Sequence, residues 1–172
     1  MEFFPHLLFF VLLTATAIWS KPICAPGAVL NHSGSKCFYI FPVFYDFDTA
    51  DGICKVRSLR FASIDNAEDN KIAWDYALQH FKHLGETTTF IWLGGFFDNV
   101  KKKLVWVNGS NSTFIPSVAK EKQATLMPAG FESHKGMGCL AMNVEIGLWF
   151  STDCTTPIPF LCEGESINNE AE

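Results

Sequence analysis

Six cysteines, at positions 24, 37, 54, 139, 154 and 162, constrain this chain more than any other feature. No two form a C-x-x-C pair, and none of the five histidines stands at zinc-ligand spacing from them. Thiolate metal sites need such clustering, so the cysteines read as disulfide staples, with every pairing left open by sequence alone. Staples of this kind form in an oxidising compartment. The N-terminus supplies the route there: Met1 to Pro5 lead into an apolar run from Leu7 to Leu13, then into Thr14-Ala15-Thr16-Ala17 and on to Ser20. That is the layout of a secretory signal cleaved after Ala17 or Ser20, although Glu2 and His6 stand where a basic residue is usual. Residues 1–20 are therefore expected to be a signal peptide and the remainder a secreted, extracellular protein.

The apolar run is too short to span a bilayer, and no later segment approaches the ~20 consecutive apolar residues a membrane helix needs, so no membrane insertion is expected. The acidic end from Glu163 to Glu172 offers no hydrophobic tail for a lipid anchor. About 150 residues then remain, enough for one core and too few for two ordinary domains. A formal charge of −5 argues against nucleic acid as a partner, because such binding draws its affinity from clustered Lys and Arg. Lys101-Lys102-Lys103 is the one basic run; it reads as a solvated hairpin turn, with contact to an anionic glycan as the sharper alternative. Three glycosylation sequons, beginning at Asn31, Asn108 and Asn111, agree with secretory passage, and the last two are close enough that occupying one would hinder the other.

Along the chain, Ala25-Pro26-Gly27 and Asn31-His32-Ser33-Gly34-Ser35 flank short apolar pieces and predict a hairpin closing near Cys37-Phe38-Tyr39. Asp48 offers an N-cap for a first helix, with Phe47, Ala50, Ile53 and Cys54 at helical spacing. Asp65 and Glu68 resemble a capping box, and Ile72, Ala73, Tyr76, Ala77 and Phe81 make one apolar stripe, predicting a second helix to about His80. Five short β-like runs follow, at Phe90–Leu93, Leu104–Val107, Cys139–Met142, Leu148–Phe150 and Pro159–Cys162. Between Val107 and Gly138 lies a long stretch of no sustained period, rich in Gly, Pro, Ser, Asn and Lys; such a length in a compact domain usually carries function.

From about Cys24 to Glu163 this spacing resembles the C-type-lectin-like domain. Phe90-Ile91-Trp92-Leu93-Gly94 is similar to the family's W-I-G-L core strand, and Trp106-Val107-Asn108-Gly109-Ser110 to the W-x-D-G-S that follows. Leu59 to Glu68, with Ala62-Ser63-Ile64, resembles the segment joining the family's two helices. The resemblance implies an α+β fold, two helices packed on small antiparallel sheets with a long irregular loop, over residues 21–163, leaving 164–172 as an acidic disordered tail. It also implies the pairings Cys54 with Cys162, Cys139 with Cys154, and Cys24 with Cys37.

Family members that bind sugar through calcium use an E-P-N or Q-P-D tripeptide in the long loop and W-N-D before a cysteine. Here Trp149 stands at the family's distance from Cys154, but Phe150 and Ser151 occupy the ligand positions. The loop prolines, in Ile115-Pro116-Ser117 and Met127-Pro128-Ala129, lack flanking carboxylate and amide. Calcium needs six to eight oxygens, so no cofactor and no metal site is expected, with Asp98, Glu121, Glu132 and Asp153 read as solvated charges. No catalytic residue is assigned either. His80 and His83 sit at a helix end without a third ligand, His134 near Ser133 makes no triad by adjacency, and no G-x-S-x-G, H-E-x-x-H or phosphate-cradling motif occurs.

Trp74, Trp92, Trp106 and Trp149 fit buried positions, whereas Phe114 and Phe131 stand in the long loop beside Lys120, Lys122, Gln123 and Lys135. Phe114, Lys120, Lys122, Gln123 and Phe131 are the candidate ligand-binding residues, weighed against loop-core packing of the two rings. The expected function is calcium-independent, non-catalytic recognition of a glycan or microbial surface, with host defence implied only at family level. The alternatives are an extracellular protein-interaction module and a calcium-dependent lectin with unusual ligands. With no heptad neck and no unpaired cysteine, a monomer is expected.

Overall fold

The chain is described here from a computed structural model over residues 21–85, 90–98, 103–116 and 137–168. The expected signal peptide, Lys101, Lys102 and most of the long loop lie outside the described residues.

The first helix, α1 (Phe47–Val56), begins two residues earlier than Asp48 suggests: Asp46 is the N-cap, and its carboxylate accepts from the backbone N–H of Thr49 at 2.9 Å and from the Thr49 hydroxyl at 2.8 Å. Asp48 sits inside the first turn, where a negative charge also suits the helix dipole. The second helix, α2 (Ala67–Leu84), is capped by Asn66 instead of Asp65, with Asn66 Oδ1 accepting from the backbone of Asp69 at 2.8 Å. It continues a turn past His80 and stops at Gly85, whose φ of 67° makes a left-handed cap.

The strands are β1 (Pro22–Ile23), β2 (Val29–Leu30), β3 (Lys36–Tyr45), β4 (Arg60–Phe61), β5 (Phe90–Asp98), β6 (Lys103–Trp106), β7 (Met137–Asn143), β8 (Trp149–Thr152), β9 (Ile158–Glu165) and β10 (Ile167–Asn168). Two of them, β1 and β10, pair separately; the rest join in one eight-stranded sheet ordered β2-β3-β9-β5-β7-β8, with β4 on β9 and β6 on β5. The small antiparallel sheets expected from the sequence are thus one mixed sheet. The reason is β9, which brings the end of the chain between β3 and β5 and meets β5 in parallel at Trp92 and Phe160. Where β5 crosses β4, a Cβ on Gly94 would lie 2.8 Å from the Phe61 backbone, so only glycine fits this approach.

Alternation along the central strands divides the core between two faces. Ile91, Leu93, Leu140, Met142 and Leu161 point to one face, where α2 lays Ala73, Ala77 and Phe81. Trp92, Cys139, Ala141, Phe160 and Cys162 point to the other, where α1 contributes Phe47, Ala50 and Cys54. Central strands covered on both faces read as continuous apolar runs, as Ile91-Trp92-Leu93 does.

Three disulfides join Cys24 to Cys37, Cys54 to Cys162 and Cys139 to Cys154. Part of the expected disordered tail is ordered: Gly164 and Glu165 extend β9 against β3, and Ile167 and Asn168 pair with Ile23 and Pro22. Cys24–Cys37 holds the N-terminal strand beside β3, giving those residues an edge to pair with. Residues 169–172 lie outside the described residues.

Candidate functional site

At the entrance to the long loop, the sequence assembles a layer of rings over the first turns of α2. Trp149 on β8 is buried, and its indole N–H donates to Asn70 Oδ1 at 2.7 Å. The Asn70 amide in turn donates to the carbonyl of Gly147 at 3.2 Å. Gly147 has φ of 68°, and a Cβ there would reach 2.6 Å from the Trp74 ring, so glycine lets Trp74 lie against the turn before β8 while its N–H bonds Val144 O at 2.8 Å. Trp106 and Phe114 meet Trp149 edge-on, with centroids 5.8 and 5.6 Å away. These anchors frame a cleft of about 210 Å³ whose walls include Lys71, Trp74, Phe114, Pro116, Ile146 and Leu148. Ile146 is half exposed at its rim. Apolar walls with one ammonium at the edge can take the face of a sugar ring or an apolar side chain.

Of the candidate ligand-binding residues, Phe114 is placed here, partly buried against the core and lining the cleft. Lys120, Lys122, Gln123 and Phe131 lie outside the described residues, as do Glu121, Met127-Pro128-Ala129, Glu132 and His134. On β8, Phe150 packs edge-on against Phe90 at 5.7 Å, and Ser151 pairs with Leu140 with its hydroxyl filling the space a Cβ on Gly138 would take. Asp153 Oδ1 accepts from both the backbone and hydroxyl of Thr155 at 2.9 Å, closing a turn. His80 packs between Tyr76 and Phe81, its Nε2 buried without a hydrogen-bond partner, and burial raises the Tyr76 phenol above its ordinary pKa. Among the described residues, no three His, Cys, Asp or Glu side chains converge as a metal site would require.

Sequence reasoning missed a second constellation. Lys36 is 6% exposed, and its ammonium bonds Ser63 O at 2.7 Å, Asp65 Oδ2 at 2.8 Å and Glu163 Oε2 at 3.0 Å. The Ser63 backbone N–H also donates to Glu163 Oε2 at 3.0 Å, while Asn108 donates to Oε1 at 3.0 Å and Arg60 stands 3.4 Å from it. The group lies beneath an open polar cavity of about 510 Å³. Every proton of the ammonium is matched, so this is an internal electrostatic staple joining β3, the approach to α2 and β9. The signal was present: Lys36 and Glu163 each stand between a cysteine-bearing apolar run and the end of its strand, where a buried charge needs a partner.

The family model for the Lectin C-type domain matches residues 45–164. The secretory phospholipase A2 receptor of Mus musculus is 23% identical over 158 residues, covering 90% of this chain; the chain spans about a tenth of that receptor's length, 10% of it. The structure of a calcium-independent type II antifreeze protein superposes with a TM-score of 0.61 at 19% identity, over 85% of this chain and 97% of that one. A mouse scavenger receptor C-type lectin carbohydrate-recognition domain superposes with a TM-score of 0.57 at 19% identity, over 83% and 96% of the respective chains. Among the described residues, no helix is long and apolar enough to cross a membrane.

Proposed function

The chain belongs to the C-type lectin domain family, and from that membership we infer that it is a secreted, non-catalytic module that binds a glycan, on host or microbial surfaces, without calcium. The observation that carries this reading is β8: the two positions that present calcium ligands in sugar-binding relatives hold Phe150, whose ring is packed on Phe90, and Ser151, whose hydroxyl is packed on Gly138. A phenyl ring has no lone pair for a hard cation, and one hydroxyl leaves Ca²⁺ far short of its six to eight oxygens. Two similar structures support each half of the reading, one being named for calcium independence and the other for carbohydrate recognition.

With chelation gone, recognition falls to stacking and hydrogen bonds, for which the cleft beside Trp74 and Phe114 is suited. Such a module works as a monomer, since the cleft needs no second copy. The test is binding of the purified protein to an immobilised glycan panel in EDTA. A defined subset of glycans should be retained, and Phe114→Ala should weaken retention about tenfold, equivalent to ~1.4 kcal/mol. Retention that appears only when Ca²⁺ is added would replace this reading with a calcium lectin using unusual ligands. Retention of no glycan, alongside saturable binding of an extracellular protein, would replace it with a protein-interaction module.

A further inference from the structure

The three sequons differ in what the fold does with their amides. Asn31 is 5% exposed, and both amide hydrogens are committed, to Ser33 Oγ at 2.9 Å and to Asp69 Oδ2 at 3.3 Å. Its Oδ1 accepts from the backbone of Ser35 at 2.9 Å and of Lys36 at 3.0 Å. Asn31 thus shapes the β2–β3 turn and joins it to the buried carboxylate of Asp69 at the start of α2. Asn108 is committed in the same way: its amide donates to Phe61 O at 3.1 Å and to Glu163 Oε1 at 3.0 Å, while Oδ1 accepts from Ser110 N at 2.9 Å. Attaching a sugar replaces one amide hydrogen and adds a bulky, solvated group on that nitrogen. At either residue it would delete a native hydrogen bond and strand an acceptor, and at the buried Asn31 it would also force a hydrated sugar into the fold.

Asn111 stands apart. It is exposed, as is Thr113 of its sequon, and among the described residues no hydrogen bond holds its side-chain amide. The backbone around it is nonetheless fixed: the Trp106 indole donates to Ser112 O at 3.0 Å, and the Ser112 hydroxyl to Ile64 O at 2.9 Å. The acceptor is therefore exposed on a hydrogen-bonded segment at the start of the long loop.

We propose that Asn111 is the N-glycosylation site of the native protein, and that Asn31 and Asn108 are structural asparagines whose sequon match is incidental. In the reaction, Asn111 Nδ2 forms a bond to the anomeric carbon of an oligosaccharide carried on a lipid diphosphate. The bond from that carbon to the diphosphate oxygen breaks, the amide gives up one proton, and the lipid diphosphate leaves. Chains modified at Asn31 or Asn108 before folding cannot complete the contacts above and are lost to quality control.

The proposal rests on secretory passage, and the test separates the two. The full chain is expressed in a eukaryotic secretory host, collected from the medium with disulfides intact, and treated with peptide N-glycosidase in heavy-oxygen water. Peptide mass spectrometry should then find labelled aspartate at position 111 and unlabelled asparagine at 31 and 108. Asn111→Gln should collapse the glycoforms to one bare species while secretion continues. Label at 31 or 108 in the secreted protein, or unlabelled Asn111, overturns the assignment. Retention in the cytosol with reduced cysteines and no label overturns secretion itself, and the assignment with it.

Discussion

A lysine ammonium is tolerated in a protein interior only where oxygens replace the water it gives up, and Lys36 meets that demand with Ser63, Asp65 and Glu163. Lys36→Met would leave the Glu163 carboxylate buried beside a neutral stem, and should cost roughly 3–5 kcal/mol in urea unfolding. A loss below about 1 kcal/mol would mean the staple is far weaker than its geometry implies. Asp46 gives a smaller effect with a definite pH signature. The N–H of Thr49, and then its hydroxyl, hold the Asp46 carboxyl below its ordinary pKa. A folded-state pKa below the unfolded one stabilises above the unfolded value, and that contribution is lost as pH falls through the folded value. Asp46→Ala should cost about 1 kcal/mol at neutral pH; Asp46→Asn should keep most of the cap and lose this part of the acid dependence. These residues also show what was unreadable. Asp46 and Asp48 are both plausible caps by composition, and only the path from β3 into α1 chooses between them.

At the scale of elements, the strands were legible where alternation was complete. Ile91-Trp92-Leu93 and Leu140-Ala141-Met142 send side chains to opposite faces, and the structure places a helix on each. The stripe of α2 was readable for the same reason, while its last turn depends on Gly85, a stop that carries no apolar signal. Joining the expected antiparallel sheets into one mixed sheet required β9 to pass between β3 and β5, a long-range pairing that no local pattern encodes. The cleft was half legible: Phe114 stood out as a ring in an irregular stretch, but Trp74 was assigned to the helix core, and its approach to Gly147 spans the whole β5–β7 region. Gly147→Ala would drive a methyl into that indole at a positive φ, and should cost roughly 1–3 kcal/mol while shifting Trp74 fluorescence. An unchanged spectrum and stability would show that the indole does not rest on this turn.

For the molecule as a whole, the disulfides divide their labour. Cys54–Cys162 closes a sequence separation of 108 residues and joins α1 to the central strand β9, whereas Cys139–Cys154 closes only 15 and ties β7 to the segment after β8. Chain-entropy arguments give about 4–5 kcal/mol for the first and about 3 kcal/mol for the second. Replacing Cys54 and Cys162 with Ala should therefore lower the denaturation midpoint further than replacing Cys139 and Cys154. The reverse order would place the stability of the fold in its loop end. If recognition is independent of calcium, as proposed, thermal unfolding of the oxidised protein in millimolar Ca²⁺ and then in EDTA will show it, because a ligand bound only by the native state raises the apparent Tm. The Tm should be the same in both within error. A rise of several degrees with Ca²⁺ would contradict it, and would mean that oxygens other than those of β8 assemble a cation site.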